Sequence, residues 1–325
     1  MKKWMKTIAT TMALTMAMTG CGGSSDAPAD DAADKYTVGI VQQLEHPALD
    51  AATLGFQEKL TELLDGNVTF DYQNAQGEQT NCTTIATKFV SDGVDLIMAN
   101  ATTALQSAAA ATADIPIVGT SVTDYVTAGV VDSNEAPGRN VTGASDLAPI
   151  DEQIAMLMEL VPDVQKVGIV YCSAEPNSMY QSKLAQAELD EANIAWAEYT
   201  AADSNEVQSV VTKAVAECDV LYIPTDNTMA NNTEIIKNVA VPAGVPVIAG
   251  EEGICSGCGV ATLSISYYDL GVKAAEMAYE ILVNGANPAE MPIEYVSEGI
   301  TEKYNAEIAE ALQIAIPEDM VAIGE

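Results

Sequence analysis

Short β-branched runs recur along this chain at a nearly constant spacing, and that recurrence restricts the possible folds more than any other feature. Thr37-Val38-Gly39-Ile40-Val41 returns as Lys166-Val167-Gly168-Ile169-Val170, 129 positions on. Asp95-Leu96-Ile97-Met98-Ala99 returns as Asp219-Val220-Leu221-Tyr222-Ile223, displaced by 124, and Ile115-Pro116-Ile117-Val118-Gly119 returns as Val245-Pro246-Val247-Ile248-Ala249, displaced by 130. Three echoes in one order argue for two lobes of similar build. Longer amphipathic stretches separate the runs. Leu49, Ala52, Phe56, Leu60 and Leu63 recur at helical spacing, so one face of that helix packs on a sheet. The pattern predicts helices over 47–64, 79–90 and 104–111 in the first half, and over 178–192, 205–216 and 231–243 in the second. Strands alternating with helices give an α/β fold of two doubly wound parallel-sheet lobes joined by a hinge. Right-handed crossovers bring every strand's carboxyl end to one edge of its lobe. Ligands of such sheets bind at that edge.

The start of the chain reads differently. Lys2, Lys3 and Lys6 precede an apolar stretch from about Thr7 to Met18, which is well short of the roughly 20 residues that span a bilayer. This layout is that of a signal peptide over 1–20. Met18-Thr19-Gly20-Cys21 is similar to the bacterial lipobox, which makes Cys21 the expected lipidation site. The Gly/Ser/Ala/Asp-rich residues after it form a tether over 21–35. The expected location is extracytoplasmic, anchored to the membrane through Cys21.

Composition then removes whole classes of function. Forty-seven acidic residues against 13 basic ones give a net charge of −34, so a phosphate-neutralising stripe is absent and nucleic acid is not expected as a partner. Arg139 is the only arginine and His46 the only histidine. A His-rich metal centre is therefore excluded, and a Ser-His-Asp triad could form only through His46. No nucleophile elbow and no phosphate-binding loop occurs, and neither an enzyme nor a cofactor is expected. Cys255-Ser256-Gly257-Cys258 has CxxC spacing without a second pair for zinc. Gly253, Gly257 and Gly259 place it in a loop, as a local disulfide or two inert thiols.

The loops at the strand ends carry the chemistry. They are Gln42 to Pro47, Asn100 to Thr102 and Gly119 to Ser121 in the first lobe, and Ser173 to Ser178, Thr225 to Asn227 and Gly250 to Glu252 in the second. Asp146 follows Asn140-Val141-Thr142-Gly143, a segment expected to cross between lobes. The acids Glu45, Asp146, Glu175, Asp226 and Glu251 only accept hydrogen bonds and so can hold an ammonium. Hydroxyls, amides and N–H groups at helix starts can hold a carboxylate without arginine. A zwitterionic amino acid suits that combination. Each acid alone could equally serve the dipole of its helix. His46, just before Pro47, stands at an N-cap position, and capping or orienting the cleft loop suits it better than proton transfer. Tyr267 and Tyr268 are either a ligand wall or hinge packing, and Arg139 reads as a surface loop residue.

Glu45-His46-Pro47-Ala48-Leu49-Asp50, Asn140-Val141-Thr142-Gly143, Pro224-Thr225-Asp226-Asn227-Thr228 and Ile248-Ala249-Gly250-Glu251 together give the chain a likeness from about Tyr36 to its end. It resembles the substrate-binding lipoproteins of bacterial ABC importers, in the family with tryptophan- and tyrosine-binding members. The resemblance implies a periplasmic-binding-protein type I fold with a three-segment hinge. The lobes are then expected at 36–143 with about 267–296, and at 144–266 with about 297–325. It implies a monomer without enzyme activity that delivers an amino acid, most commonly an aromatic one, to an ABC permease and its ATPase. Carried onto this sequence, the ligand contacts are Glu45, His46, Asn100 and Thr102, with Asp146, Glu175, Asn177, Ser178, Thr225, Asp226, Asn227 and Glu251. The chain departs from the family around Cys255 and Cys258. A sugar or nucleoside ligand is the alternative, disfavoured because only 5% of residues are aromatic. A sensor that presents its closed form to a membrane receptor is another.

Overall fold

A computed structural model describes residues 35–296 and 300–324. The expected signal peptide, Cys21 and all but the last residue of the tether lie outside the described residues. The first lobe opens with β1 (Tyr36–Gln42) and α1 (Pro47–Leu63), followed by β2 (Val68–Asn74) and α2 (Gln79–Asp92). It continues with β3 (Leu96–Asn100), α3 (Thr102–Ala111), β4 (Ile117–Val122) and β5 (Val141–Ser145). The second lobe repeats the plan after an extra helix, α4 (Ile150–Leu160), which the strand echoes do not announce. It runs through β6 (Lys166–Cys172), α5 (Pro176–Glu191), β7 (Ala195–Ala201), α6 (Val207–Glu217) and β8 (Val220–Ile223). Next come α7 (Asn227–Ala230), α8 (Thr233–Ala243), β9 (Val247–Ala249), α9 (Glu252–Cys258) and β10 (Ala261–Ser264). The chain returns with α10 (Tyr267–Asn284) and β11 (Glu294–Tyr295), and closes with β12 (Thr301–Tyr304), α11 (Ala306–Leu312) and β13 (Val321–Ala322).

The local chemistry explains the helix starts. Pro47 and Pro176 sit in the first turns of α1 and α5, where a fixed φ suits the helix and a missing N–H loses nothing. That is why α5 begins at Pro176, two residues before its expected start. Asp226 caps α7 through Met229 N–H, and this separates a four-residue helix from α8. The CxxC segment is a correction: it is helical, not a loop. Glu251 accepts from Gly253 N–H and Ile254 N–H and so caps α9, which outweighs the glycines.

Strand order shows that the repeat extends to topology. The first sheet runs β11-β5-β4-β3-β1-β2 and the second β13-β12-β10-β9-β8-β6-β7. Without the late-joining β11, β12 and β13, each lobe has its second, first, third, fourth and fifth strands side by side in that order, a doubly wound sheet. All pairings within that common order are parallel, whereas β10 and β12 are antiparallel. Each sheet carries apolar clusters on both faces. Phe56, Leu60 and Met98 lie on one side of the first sheet and Phe89, Ile97 and Leu105 on the other.

The chain passes between sheets after β5, after β10, and between β11 and β12. β5 extends to Ser145, two residues past the boundary expected at 143. Asn140 to Gly143 therefore belongs to the first sheet, and the crossing starts at Asp146. Helix α10 returns to pack along α1 at very short range. A Cβ on Gly55 would strike the backbone of Tyr268, and one on Gly271 would strike the backbone of Ala52, so both positions admit only glycine without displacement.

Candidate functional site

The two crossings nearest the strand ends bring the carboxyl edges of the sheets together, and a small, nearly closed cavity lies where they meet. Its walls are His46 and Leu49 from the start of α1, Ser121 from the end of β4, and Asp146 and Tyr267 from the crossings. The second lobe supplies Asn177, Thr225, Asp226, Asn227, Ala230 and Glu251. The cavity's free volume is about 10 Å³, room for about one water and far below the roughly 300–1,000 Å³ of ligand-holding pockets, so a ligand enters only when the lobes part.

Three buried carboxylates face this space. Asp226 Oδ1 accepts from Met229 N–H at 2.8 Å and Oδ2 from Cys172 N–H at 2.7 Å. Asp146 Oδ1 accepts from Thr123 Oγ1 and Oδ2 from the Tyr267 hydroxyl, each at 2.9 Å. Glu251 accepts from Gly253 N–H at 2.6 Å and Ile254 N–H at 2.5 Å. Burial raises all three acids from their ordinary values. The charge of Glu175 pushes Asp226 further up, while His46 pulls Glu251 part of the way back. A cation entering the cavity would be drawn to these groups and would favour their ionised forms.

Two hydrogen bonds tie the lobes together at the cavity. His46 Nε2 meets Asn227 Oδ1 at 3.1 Å, and Gln181 Nε2 on α5 donates to Thr123 Oγ1 at 3.3 Å. His46 does occupy the N-cap position of α1, with φ −161° and ψ 163°, but its ring makes no capping bond. It reaches across to the other lobe instead.

The residues expected at the site divide into three groups. His46, Asp146, Asn177, Thr225, Asp226, Asn227 and Glu251 line the cavity. Ser178, Glu175, Asn100 and Thr102 are buried but stand behind it. Ser178 Oγ and Asn177 Nδ2 both donate to the Thr225 carbonyl. Asn100 Nδ2 braces β3 against α1 through Leu49 O and Thr53 Oγ1. Glu175 is fully engaged: Oε2 accepts from Asn227 N–H and Asn227 Nδ2, and Oε1 from Thr228 N–H and Thr228 Oγ1. With its acceptor sites filled by its own lobe, Glu175 holds the loop that presents Asp226 and Asn227, not an ammonium. Glu45 is exposed, because the extended backbone at His46 turns neighbouring side chains to opposite sides.

Sequence reasoning passed over Leu49, Ser121 and Ala230 as lining residues and left Tyr267 open between ligand wall and hinge packing; Tyr267 lines the cavity. Ser121 lay within a recognised strand-end loop, but its neighbours give no signal for the direction of its side chain. Arg139 is exposed at the surface, bonded to Gly129 O and Asp132. Cys255 and Cys258 are free and buried, and burial pushes both thiols up, which makes them poor nucleophiles.

Residues 37–324 match the family described as ABC transporter substrate binding protein. The chain belongs to that family. A Clostridioides difficile protein named tyrosine-binding protein is 39% identical over 282 residues, covering 86% of this chain and 81% of the relative. Among solved structures, an ABC domain from Streptococcus pneumoniae in complex with L-Trp is 31% identical, with a TM-score of 0.85. A ligand-free, open substrate-binding protein with adhesive properties from Clostridium difficile is 36% identical, with a TM-score of 0.69. Each of these two structures is covered to 99%, against 89% of this chain. Identity and superposition thus run in opposite directions. Lobes that rotate as rigid bodies spoil a whole-chain superposition without changing either lobe. The lobes of this substrate-binding protein therefore stand closer to the arrangement of the L-Trp complex than to the open one.

Substrate-binding proteins of ABC transporters act outside the cytoplasm and bind a solute without transforming it. No helix among the described residues of this one is long and apolar enough to cross a membrane. No reaction has to be assigned to the acids and amides of the cleft.

Proposed function

We propose that this substrate-binding protein captures a free aromatic amino acid, tyrosine or tryptophan before phenylalanine, between its lobes and delivers it to an ABC permease and its ATPase. The observation that carries this reading is the small cavity lined by Asp146, Asp226 and Glu251 and walled by Leu49 and Tyr267. Its acids suit an ammonium, and its apolar and aromatic walls suit a ring. The tyrosine-binding relative and the L-Trp complex support the same ligand class. Seven residues form the proposed ligand set: His46, Asp146, Asn177, Thr225, Asp226, Asn227 and Glu251. Ligand docks on one lobe, and rotation about the crossings brings His46 to Asn227. The ligand then shifts the population toward the closed form. Residues 1–20 are proposed to be removed as a signal peptide, with Cys21 lipidated and the monomer held to the membrane through the tether.

Isothermal titration of the ligand-stripped chain against the twenty amino acids, a sugar panel and a nucleoside panel tests the ligand class. Saturable micromolar-or-tighter binding of tyrosine or tryptophan is the expected result. Heat from a sugar or nucleoside alone would refute it.

A further inference from the structure

A buried polar atom without a partner carries an uncompensated desolvation cost, so each one at a cavity wall needs a reason. Six buried side-chain polar atoms among the described residues lack a protein partner, and two of them, His46 Nδ1 and Ser121 Oγ, belong to cavity-lining residues. His46 is 8% exposed and Ser121 6%.

The backbone at Ser121 is unusual as well. Its register against β5 shifts between Gly119 and Val122, a β-bulge, and its φ of 56° lies in the left-handed region. Bulges beside binding sites re-aim a side chain, and a non-glycine residue stays in such a conformation only where its surroundings demand it. The bulge directs a serine hydroxyl to a place where no protein group receives it.

Hydrogen-bond bookkeeping identifies what these two atoms can hold. Asn227 Nδ2 donates to Glu175 Oε2 at 2.7 Å, which turns Asn227 Oδ1 toward His46. His46 Nε2 must then carry a proton and donate at 3.1 Å, and Nδ1 is left buried without a protein partner. Once ionised, as an ammonium beside them favours, the three lining carboxylates accept only and repel an anionic group. The Tyr267 hydroxyl is committed to Asp146 and Asn177 Nδ2 to the Thr225 carbonyl. Lysine and arginine are absent from the lining, which makes His46 the sole lining group able to bear positive charge.

We propose that Ser121 Oγ and His46 Nδ1 together hold the ligand's carboxylate while the acid cluster holds its ammonium, so that the cavity selects free α-amino acids over the matching amines and amides. His46 then carries both ring protons, the second taken from solvent, and bonds the ligand and Asn227 at once. Ligand recognition and lobe closure share that ring. The assignment rests on the amino-acid reading of the cavity and adds the polarity in which the ligand lies.

Titration of the full chain with L-tyrosine against tyramine and L-tyrosinamide, and with L-tryptophan against tryptamine, tests it in wild type, Ser121→Gly and His46→Gln. Wild type is expected to bind the amino acids at least about tenfold more tightly than the carboxylate-free analogues, the loss of one charge-assisted hydrogen bond. Ser121→Gly should weaken the amino acids about tenfold or more and leave the amines unchanged. Its ligand-free melting temperature should equal or exceed wild type, because glycine takes this φ without strain. His46→Gln should contract the same ratio. A ratio preserved in Ser121→Gly, or amino acids and amines weakened together, would overturn the carboxylate assignment alone. Failure of every amino acid to bind wild type would overturn the amino-acid reading and this assignment with it.

Discussion

Removing the Glu175 carboxylate should destabilise the protein even though the residue stands behind the cavity wall and does not line it. Its two oxygens receive Asn227 N–H at 3.0 Å, Asn227 Nδ2 at 2.7 Å, and Thr228 N–H and Oγ1 at 2.8 Å each, with Asn177 Nδ2 at 3.4 Å. In Glu175→Ala the Asn227 donors are left buried, whereas the Thr228 hydroxyl can turn toward water. Hydrogen bonds to a charged group contribute about 1.5–3 kcal/mol each, and they do not add. Each buried donor left without an acceptor costs roughly 1–3 kcal/mol, and two of them sit on Asn227. Part of that returns, because the repulsion between Glu175 and Asp226 disappears. A net loss of about 3 kcal/mol remains, which at roughly 2–4 °C per kcal/mol in larger domains lowers Tm by about 6–12 °C. Urea denaturation and thermal melting of the ligand-free chain measure it. Had Glu175 been a free ligand acid, the substitution would weaken binding and spare the fold. A stability loss below about 1 kcal/mol would therefore refute the scaffolding role.

Two further outcomes are expected. Burial raises Asp146, Asp226 and Glu251 in the folded chain, so it keeps their protons to higher pH than the unfolded chain, whose carboxylates titrate near about 4. Their contribution to stability is complete below that value and is lost as pH rises through the raised ones. The urea midpoint of the ligand-free chain should fall between pH 5 and pH 7.5, and less steeply in Asp226→Asn. An identical slope in that variant would remove Asp226 as a source. Gly271→Ala should lose about 1–3 kcal/mol by overpacking, since its Cβ would press on the Ala52 backbone of α1. A denaturation midpoint equal to wild type would show that α1 and α10 have room to separate.

The duplicated β-branched runs by themselves determined the α/β class, the two similar lobes, and the loops in which the ligand groups had to be sought. Hydrophobic periodicity and strand succession are local properties, and a repeat makes them visible twice. Tertiary structure alone decided which polar residues of those loops meet. Glu45 and His46 are neighbours in sequence, yet an extended backbone sends one to solvent and the other across the cleft. Glu175 looked like a ligand acid until its acceptor sites were found filled from residues 52 and 53 positions away. Ser121 stayed hidden because a bulge, set by how β4 meets β5, turns its hydroxyl inward. The helix at Cys255 and Cys258 arises from a cap by Glu251 that outweighs three glycines. A side chain's direction follows from backbone torsions and from partners supplied by distant elements, and neither is written in the spacing of residue types.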